Sequence, residues 1–453
     1  MEINTAIVAG TGKSGISATK LLVNHGVKVY LFDENKDRDI EAIKEKTGDS
    51  ELVQIELGEL GEDALSSSQL MVISPGIPVD APFTDVVRNA GIPIWSEIEL
   101  AYHYGKGKIA AITGTNGKTT TTALVGEIVK AHNAKTIVVG NIGIPYTELC
   151  DTTDDDSDTV AEISSFQLET VIDFHPNVSA ILNLTPDHLN RHYTFENYGN
   201  VKFSITKNQT MDDVTVLNYD DEHTRAMGEK AKDHCHVVYF SRLEKPASGV
   251  YVEDGDIILE DGDKKINVLA IKDLKLMGAH NVENVLAAVG ISYYMGVPVD
   301  VIRDVATSFK AVAHRIEYVD TVDGVAYYND SKGTNPDAAI KGIQAMVAPT
   351  FLIGGGYDKG SEYDEWIEAF DGKVKWLVLI GQTAQKIADC AKRHGFNSII
   401  FEENLQDAVA YCHENAVDGD AVLLSPACAS WGQFDNYEQR GDMFKEYVRS
   451  YKE

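Results

Sequence analysis

The stretch I-A-A-I-T-G-T-N-G-K-T-T-T-T, residues 109–122, joins an apolar segment to a glycine-containing loop and then to a helix-forming segment. Gly114 and Gly117 let the backbone approach a ligand closely, so that consecutive N–H groups and a helix N-terminus face oxygen anions. Lys118 adds a positive charge, and the Thr119 hydroxyl can bind Mg²⁺. The loop is shorter than the general G-x-x-x-x-G-K-[ST] pattern, and a simple Gly/Thr turn is the alternative. Lys-Thr after the second glycine favours a site for ATP or GTP.

Length, charge and cysteine content limit the class of protein. The chain has 453 residues, of which 43% are hydrophobic, enough for two to four domains with filled cores. The formal charge of −30 disfavours nucleic acid and anionic membranes as partners. No apolar run reaches the ~18 residues of a membrane span, and the N-terminus lacks a basic region followed by an apolar one. Five cysteines without C-x-x-C spacing argue against disulfides and a zinc site. The sequence predicts a cytoplasmic protein without membrane insertion.

Predicted strands alternate with predicted helices along the chain, which indicates an α/β fold of mainly parallel sheets. Three blocks are predicted, over residues 1–97, 98–311 and 312–453. The strands are predicted at 5–9, 27–33, 69–74, 108–113, 136–139, 159–163, 178–183, 214–217, 325–328, 350–353, 375–380, 398–401 and 420–425. Residues 249–268 contain two Asp-Gly turns between alternating apolar residues, which predicts a small antiparallel ribbon.

The first block contains a second candidate phosphate site. Residues 10–15 read G-T-G-K-S-G, follow a predicted strand and begin a predicted helix. Asp33 ends the next strand, 18 residues after Gly15. This is the pattern of a dinucleotide-binding turn, with a diphosphate at the helix N-terminus and an acidic residue for a ribose. Any nucleotide diphosphate can use such a turn, and a tight strand–helix connection without a ligand is the alternative.

Candidate metal ligands follow two strands of the second block. Glu162 begins E-I-S-S-F-Q, and an acidic residue at a strand end of such a fold often holds Mg²⁺. His188, in N-L-T-P-D-H-L-N-R-H, is a further candidate, although a single His is more often structural. Lys202, considered by itself, is most simply a surface lysine of a helix.

The third block has polar or glycine-rich loops after three of its strands. They are N-D-S-K-G-T-N at 329–335, G-G-G-Y-D-K-G at 354–360 and S-P-A-C-A-S-W-G-Q-F at 425–434. The carboxyl ends of parallel strands meet at one edge of a sheet, where α/β folds bind ligands. His314-Arg315 begins the block, and an Arg there can contact a γ-phosphate or form a salt bridge. Cys428 is interpreted as a small packing residue rather than a nucleophile.

Together these motifs resemble the Mur ligases, ATP-dependent amide-bond ligases of bacterial cell-wall synthesis. The resemblance rests on G-T-N-G-K-T, residues 162–169 and 183–192, H-N-V-E-N at 280–284, H-R and N-D-S-K-G-T-N, in the expected order. Residues 425–441 are similar to those of the members that add D-glutamate. The resemblance implies a Rossmann-like UDP domain, a P-loop ATPase domain and a Rossmann-like C-terminal domain that binds the amino acid.

The resemblance also implies a role for individual residues. The UDP-MurNAc-L-Ala substrate would contact Gly10, Gly12, Ser14, Gly15, Asp33, Ser74, Gly76 and Asn141. ATP would contact Gly114, Thr115, Asn116, Gly117, Lys118, Thr119, Thr120, Asn281, Asn284, His314, Arg315 and Asp330. D-Glutamate would contact Lys332, Thr334, Lys359, Ser430 and Tyr437. Two Mg²⁺ ions would be held by Thr119, Glu162, His188 and a carbamylated Lys202. The resemblance also implies catalytic roles for Lys118, His188, Lys202 and Arg315.

The implied reaction activates the substrate carboxylate with ATP as an acyl phosphate, which the D-glutamate amine then attacks. Lys118, Arg315 and Mg²⁺ would offset the negative charge, and His188 would act as a base if it does not ligate metal. The resemblance further implies a monomer. Two other classes remain possible from the motifs alone. A nicotinamide-dependent oxidoreductase would use residues 10–15 but not Lys118, and a P-loop ATPase switch would use Lys118 but not the loops of the third block.

Overall fold

A computed structural model describes residues 3–141, 143–276, 278–310 and 313–452. The described residues contain three sheets, each mostly parallel, so the predicted α/β class is confirmed. The chain divides into two compact units, Met1–Asp273 with Glu283–Thr307, and Leu274–Val282 with Ser308–Glu453. The predicted boundary at 311–312 lies outside the described residues. Among the described residues, no helix has both the length and the hydropathy needed to span a membrane.

The first sheet is entirely parallel, with strand order β3-β2-β1-β4-β5. Its strands are β1 Thr5–Ala9, β2 Lys28–Asp33, β3 Val53–Leu57, β4 Leu70–Ile73 and β5 Ile94–Ser96. Its helices are α1 Lys13–Asn24, α2 Ile40–Thr47, α3 Glu62–Ser67, α4 Pro82–Asn89 and α5 Glu97–Tyr104. β1 is flanked by β2 and β4, so that the loops after β1, β2 and β4 end at the same edge of the sheet. These loops carry the G-T-G-K-S-G turn, Asp33 and Ser74.

The second sheet has strand order β14-β13-β12-β11-β10-β9-β6-β8-β7. Its strands are β6 Lys108–Thr113, β7 Ile137–Gly140, β8 Asp158–Glu162, β9 Val178–Ile181, β10 Val214–Asn218, β11 His236–Ser241, β12 Gly249–Glu253, β13 Asp256–Asp261 and β14 Lys264–Ala270. Its helices are α6 Lys118–His132, α7 Tyr146–Leu149, α8 Ser165–Leu168, α9 Leu189–His192, α10 Phe195–Phe203, α11 Glu222–Ala231, α12 Ala279–Tyr294 and α13 Val299–Ser308. The predicted ribbon is confirmed as the antiparallel strands β12, β13 and β14, which extend the parallel part of the sheet.

The first and second sheets belong to the same compact unit and share one hydrophobic core cluster. Leu21 of α1, Ile98 of α5 and Tyr146 of α7 are all members of this cluster. Thr147 Oγ1 lies 2.9 Å from Ser17 Oγ, which adds a buried polar contact between α1 and α7. Burial of these apolar side chains, at roughly 25 cal/mol per Å² of apolar surface, is the main term that holds the two sheets together.

The third sheet has strand order β15-β16-β20-β17-β18-β19. Its strands are β15 Glu317–Val322, β16 Val325–Asn329, β17 Thr350–Gly354, β18 Val374–Leu379, β19 Ile399–Phe401 and β20 Ala421–Leu424. Its helices are α14 Pro336–Ala345, α15 Asp364–Glu368, α16 Ala384–Arg393, α17 Leu405–Asn415 and α18 Tyr437–Ser450. β16, β20 and β17 are adjacent and parallel, so the three polar loops follow the same sheet edge, as predicted. The antiparallel edge strand β15 was not predicted.

Candidate active site

The glycine-containing loop of residues 114–117 connects β6 to α6, as the sequence predicts. Gly114 and Gly117 have φ angles of 148° and 83°, which L side chains rarely adopt. A Cβ atom on Gly117 would lie 2.3 Å from Asn284 Oδ1 of α12. Lys118, the first residue of α6, donates from Nζ to the carbonyl oxygens of Gly114 at 2.9 Å and Thr115 at 2.8 Å. The ammonium group is therefore held over its own loop, next to a helix N-terminus.

The loop is fixed from the side by the segment that follows β9. Asn116 N donates to Asn183 Oδ1 at 2.8 Å, and Asn183 Nδ2 donates to Asn116 O at 3.1 Å. Thr185 N donates to Thr115 Oγ1 at 3.0 Å. Thr115 is therefore a loop-positioning residue through its side chain, while Thr119 and Thr120 lie in the first turn of α6. These contacts hold the loop in the conformation that an N–H cradle for phosphate requires.

Lys202 is buried, with 1% of its surface exposed. It lies on α10, and its Nζ donates to Gly114 O at 2.8 Å and lies 4.7 Å from the centre of the Tyr198 ring. Burial first, and the charge of Lys118 second, lower the pKa of Lys202 well below its usual value, while Asp187 and Glu162 oppose this shift. The interpretation of Lys202 by itself as a surface lysine is wrong, because the amine points into the glycine loop.

Glu162 ends β8 and is buried, with 2% of its surface exposed. Asn141 donates to it twice, from Nδ2 to Oε1 at 3.0 Å and from its backbone N–H to the Glu162 carbonyl at 2.8 Å. Asn141, predicted to contact a substrate, is thereby also a positioning residue for the carboxylate. Because the charge of Glu162 acts on Lys202, the two candidate metal ligands belong to one electrostatic cluster.

His188 is far more exposed than Glu162 and Lys202. Its side chain is 42% exposed, and Nε2 lies 3.5 Å from Asp187 Oδ2. The residue has a φ of 53° and immediately precedes α9, and its ring contacts Phe166 at 4.8 Å between centroids. The neighbouring His192 is buried, and burial, followed by His188 and Lys202, lowers its pKa to about 4. His192 is therefore neutral and structural, whereas His188 is accessible to a ligand.

The turn at residues 10–15 is closely packed around its glycines. Gly10 has a φ of 101°, and a Cβ there would lie 2.6 Å from Ser74 Oγ. A Cβ on Gly15 would lie 1.8 Å from the carbonyl oxygen of Gly10. Ser74 Oγ is buried without a hydrogen-bond partner among the residues that the structure describes. Ser74 thus places an unused hydroxyl beside the turn. Gly12 and Ser14 flank the start of α1, and Gly76 lies in the loop after β4.

Asp33 holds this turn in place. Its Oδ2 accepts from Thr11 Oγ1 at 2.6 Å and from Thr11 N at 3.1 Å, and Oδ1 accepts from Asn35 N at 3.0 Å. Arg38 Nε lies 3.3 Å from Oδ2 and is a cation of this region that the sequence did not indicate. Burial opposes ionisation, but the hydrogen bonds from Thr11 and Asn35 prevail and lower the pKa of Asp33 below its usual value. Its carboxylate therefore has a structural role in addition to any contact with a ribose.

Replacement of Gly15 with alanine should destabilise the protein, because the new methyl group would overlap the backbone carbonyl of Gly10. We expect the free energy of unfolding to fall by about 1–3 kcal/mol, the usual cost of overpacking. Gly12→Ala is the matched control, since Gly12 has a φ of −76° and a Cβ there meets no atom within 4 Å. Urea unfolding followed by circular dichroism measures both. Equal stability of the two variants would contradict the close packing.

The loops of the third sheet are joined by a buried arginine. Arg440 of α18 donates from Nε to Ser331 Oγ at 2.9 Å, from Nη2 to Ser331 O at 2.7 Å and from Nη1 to Cys428 O at 3.2 Å. Burial lowers the pKa of Arg440 to about 10, so it remains a cation at neutral pH. Sequence reasoning missed Arg440, although it lies within the motif at 425–441. Cys428 is buried beside Tyr363 and Thr383, in agreement with the predicted packing role.

His314, Arg315 and Asp330 lie together in the second unit. Arg315 Nη1 lies 3.6 Å from Asp330 Oδ1, and Ser425 Oγ donates to Asp330 Oδ2 at 2.7 Å. Burial raises the pKa of Asp330 to about 6, against the opposing effects of Arg315 and Ser425. His314 Nδ1 lies 3.0 Å from Asn329 Nδ2, so the histidine is packed into the base of the same loop.

Two lysines of this sheet edge lie over aromatic rings of residues 425–441. Lys332 Nζ is 5.4 Å from the centre of the Tyr437 ring, and Lys359 Nζ is 5.0 Å from that of Trp431. Thr334 N donates to Lys332 O at 2.8 Å, and Ser430 is buried. The structure thus brings Lys332 to Tyr437 and Lys359 to the segment that carries Ser430. Cations beside a hydroxyl-bearing loop suit an anionic ligand.

The two asparagines of H-N-V-E-N belong to different compact units. Asn281 is assigned to the second unit and Asn284 to the first. Asn284 contacts α6 just after the glycine loop, since Thr121 Oγ1 donates to its Oδ1 at 3.3 Å. Asn281 is buried at the start of α12, where its N–H donates to Gly278 O at 3.0 Å.

Sequence reasoning also missed a partly buried ion pair between Arg191 and Glu169 in the first unit. Arg191 Nε donates to Glu169 Oε1 at 3.1 Å, and Arg191 Nη2 donates to Ile77 O at 2.8 Å. Both charged residues lie inside the motifs already singled out, but only the fold places them in contact. The pair connects the loop after β4 to the segment that carries His188.

Comparison with known proteins covers nearly the whole chain. Three family models match, namely Mur ligase MurD-like N-terminal domain at residues 4–96, Mur ligase middle domain at 112–292 and Mur ligase glutamate ligase domain at 314–428. A protein of Lachnospira eligens named UDP-N-acetylmuramoylalanine–D-glutamate ligase is 56% identical over 450 residues, 99% of each chain. The chain belongs to the Mur ligase family. A protein of the same name from Lachnoclostridium phytofermentans is 51% identical over 447 residues, 99% of this chain and 98% of its own.

A solved structure agrees with this Mur ligase fold. The UDP-N-acetylmuramate–alanine ligase MurC from Thermotoga maritima has a TM-score of 0.62 at 18% identity, with 99% of this chain and 100% of that chain covered. At that identity the likeness concerns the fold alone. The predicted membership of the Mur ligases is confirmed, and the protein is an ATP-dependent ligase.

Proposed function

We propose that this Mur ligase joins D-glutamate to UDP-MurNAc-L-Ala with the energy of ATP, as a step in the synthesis of peptidoglycan precursors. The observation that carries the proposal is the full-length identity of 56% to a UDP-N-acetylmuramoylalanine–D-glutamate ligase. The glycine loop with Lys118 and the buried Lys202 supports the use of ATP, since both amines donate to the Gly114 carbonyl at the start of this loop. The lysines over the 425–441 segment support an amino-acid substrate with two carboxylates.

The reaction proceeds in two steps. The terminal carboxylate of UDP-MurNAc-L-Ala attacks the γ-phosphorus of ATP, which forms an acyl phosphate and releases ADP. The D-glutamate amine then attacks the acyl carbon, inorganic phosphate leaves, and one proton is lost from nitrogen. The first step brings two anions together, so cationic groups that face the transferred phosphoryl group have the largest effect on its rate. Lys118 has that role in the first unit, and we assign Arg315 to the nucleotide contacts of the second.

The residues of the first unit fit Mg²⁺. Mg²⁺ prefers hard oxygen ligands in a rigid arrangement. The buried carboxylate of Glu162 accepts a hydrogen bond from Asn141 Nδ2, and the Glu162 backbone carbonyl accepts one from the Asn141 N–H. Thr119 adds a hydroxyl and His188 an accessible imidazole, while Asp187 is a further carboxylate next to it. Bound Mg²⁺ would offset the negative charge of the phosphates. If His188 is not a metal ligand, it is an accessible base for the amine proton.

The environment of Lys202 supports its carbamylation. A neutral amine attacks the carbon of CO₂ and loses one proton from nitrogen to solvent, which gives the carbamate anion. Burial together with Lys118 lowers the pKa of Lys202, which increases the neutral fraction. The product would be an anion with two oxygen atoms that lies beside the Lys118 ammonium. Carbamylation would thus place an anion beside the Lys118 ammonium and add oxygen ligands for Mg²⁺.

Replacement of Lys332 with alanine should weaken the binding of D-glutamate. A cation that contacts a substrate carboxylate in the ground state as well as in the transition state mainly affects KM. We expect the KM for D-glutamate to rise by about tenfold to a hundredfold, with a much smaller change in kcat. Lys392→Ala, at an exposed position of α16, is the control. Normal saturation of Lys332→Ala by D-glutamate would contradict the assignment.

Phosphate release from ATP in the presence of UDP-MurNAc-L-Ala tests the proposed reaction. Release that needs D-glutamate, and not L-glutamate, is the expected result. Phosphate release with a different amino acid would support the proposed mechanism but contradict the proposed specificity for D-glutamate. ATP turnover without either substrate would favour the P-loop switch, and reduction of NAD would favour the oxidoreductase.

For this enzyme we further propose a cytoplasmic location, a monomeric state, the residue assignments given above and the three-domain division at 97 and 311.

A further inference from the structure

A cysteine, a histidine and an aspartate converge on the surface of the second unit, between α15 and α16. Cys390 Sγ, a ring nitrogen of His394 and a carboxylate oxygen of Asp364 all lie within 4.8 Å of one another. Asp364 is the first residue of α15, Cys390 lies in the last turn of α16, and His394 is the C-cap of α16. Residues four apart share one face of a helix, which directs Cys390 and His394 toward the same partner.

The donor set is that of a zinc site. Thiolate, imidazole and carboxylate are the protein ligands of Zn²⁺, and sulfur disfavours Mg²⁺ and Ca²⁺. His394 Nε2 lies 2.8 Å from Asp364 Oδ1, and Nδ1 of the same ring lies 3.6 Å from Glu368 Oε1. A proton on Nδ1, the ring nitrogen on the side of Glu368, would leave the lone pair of Nε2 to bind a metal. The cluster therefore has three ligand types that Zn²⁺ uses, with the Glu368 carboxylate near the other nitrogen of the imidazole ring.

The surroundings permit a cation to enter. The side chains of Asp364 and His394 are 45% and 26% exposed, while Cys390 is buried. The carboxylates of Asp364 and Glu368, on two sides of the His394 ring, provide negative charge that attracts a divalent cation. A bound cation of this kind deprotonates a coordinated thiol. Arg393 Nη2 lies 3.4 Å from Asp364 Oδ1, but its side chain is 60% exposed and can turn to solvent.

We propose that Asp364, Cys390 and His394 bind Zn²⁺, with water as the fourth ligand. The sequence argued against zinc because no two cysteines have C-x-x-C spacing, yet the fold brings three different ligand types together. Bound Zn²⁺ would link α15 to α16. α15 follows the loop that carries Lys359, so the cation would stabilise the segment at the base of that loop. This inference does not depend on the proposed reaction, because binding at this site is measured without substrates.

Co²⁺ is the spectroscopic probe for the site, because thiolate ligation of Co²⁺ produces a charge-transfer band in the near ultraviolet. The full chain, freed of metal with a chelator and kept reduced with a phosphine, is titrated with CoCl₂. We expect the band to saturate at about one Co²⁺ per chain and Zn²⁺ to abolish it by displacement. Co²⁺ bound near Glu162 would not contribute, since the proposed ligands there contain no sulfur.

Two variants assign the band to this cluster. Cys390→Ala should abolish it, and His394→Ala should lower the Co²⁺ affinity by at least about tenfold, as expected for the loss of a ligand contact. His394 is partly exposed, so its variant tests the site even if Cys390→Ala is unstable. His132→Ala, at an exposed position of α6, is the control and should leave the titration unchanged. Absence of the band in the native chain, or its persistence in Cys390→Ala, would overturn the proposal. An increase in the melting temperature with Zn²⁺ that His394→Ala lacks would support it.

Discussion

Lys118→Ala should abolish ATP-dependent ligation. The Lys118 ammonium is held over the glycine loop by the carbonyl oxygens of Gly114 and Thr115, at the N-terminus of α6. Attack of a carboxylate on ATP adds charge to an already anionic centre, and a fixed cation stabilises that charge more than it stabilises the separate reactants. We expect kcat/KM to fall by at least about a thousandfold. Phosphate release in the presence of both substrates measures the effect.

Lys130→Ala is the control for this variant, because Lys130 lies on the same helix at an exposed position. Its activity should equal that of the native chain, and both variants should retain the native melting temperature within a few degrees, as estimated for a small change in stability. Activity of Lys118→Ala within about tenfold of the native value would show that Lys118 is not the main phosphate-neutralising group.

Lys202→Ala should also cause a large loss of activity, for a different reason. The Lys202 amine is buried 2.8 Å from the Gly114 carbonyl, and the charges of Lys118 and Glu162 both act on it. If Lys202 carries the carbamate, its loss removes an anion from the Mg²⁺ site and leaves Lys118 without its partner. We expect at least about a hundredfold loss of kcat, the size of effect found when metal-site contacts are removed.

Lys202→Arg and a labelling experiment separate carbamylation from packing. Arginine retains the positive charge but does not form a carbamate, so Lys202→Arg should be as inactive as Lys202→Ala. Incubation of the native chain with ¹³C-bicarbonate should produce a carbamate carbonyl signal in the ¹³C spectrum, which Lys202→Ala lacks. Lys230→Ala, at an exposed position of α11, should retain both the signal and the activity. Full activity of Lys202→Arg would exclude the carbamate as a requirement.

Local patterns predicted most of the fold. Buried strands such as β1, β6 and β8 are short apolar runs that end at glycine or an acidic residue, and these signals lie within a few neighbouring residues. The antiparallel edge strand β15 was missed because E-Y-V-D-T-V has exposed and half-buried positions without a continuous apolar run. Its pairing with β16 is decided by the Asp323-Gly324 turn, which has positive φ angles at both residues, and by the sheet already formed.

The site residues also fall into two groups, those that local patterns predict and those that only the fold brings together. Phosphate-binding loops are predictable because their function depends on the backbone of consecutive residues. Arg440 was missed because its partners, Ser331 and Cys428, are distant in sequence or in a different loop. Asp33 was predicted as a ligand contact, and only the structure reveals that Thr11 and Asn35 already use both of its oxygen atoms.

The sequence by itself determined the α/β class, the glycine loops and the relation to the Mur ligases, since each depends on residue types at fixed local spacing. Only the tertiary structure decided which side chains are buried, and burial in turn changes the pKa values of the ionisable ones. Lys202 is indistinguishable from a surface lysine in a linear pattern, yet packing of α10 against the glycine loop lowers its pKa. The cluster of Asp364, Cys390 and His394 likewise exists only because α15 and α16 pack side by side. Burial and long-range contact are properties of the folded chain, because they depend on residues that no local window contains.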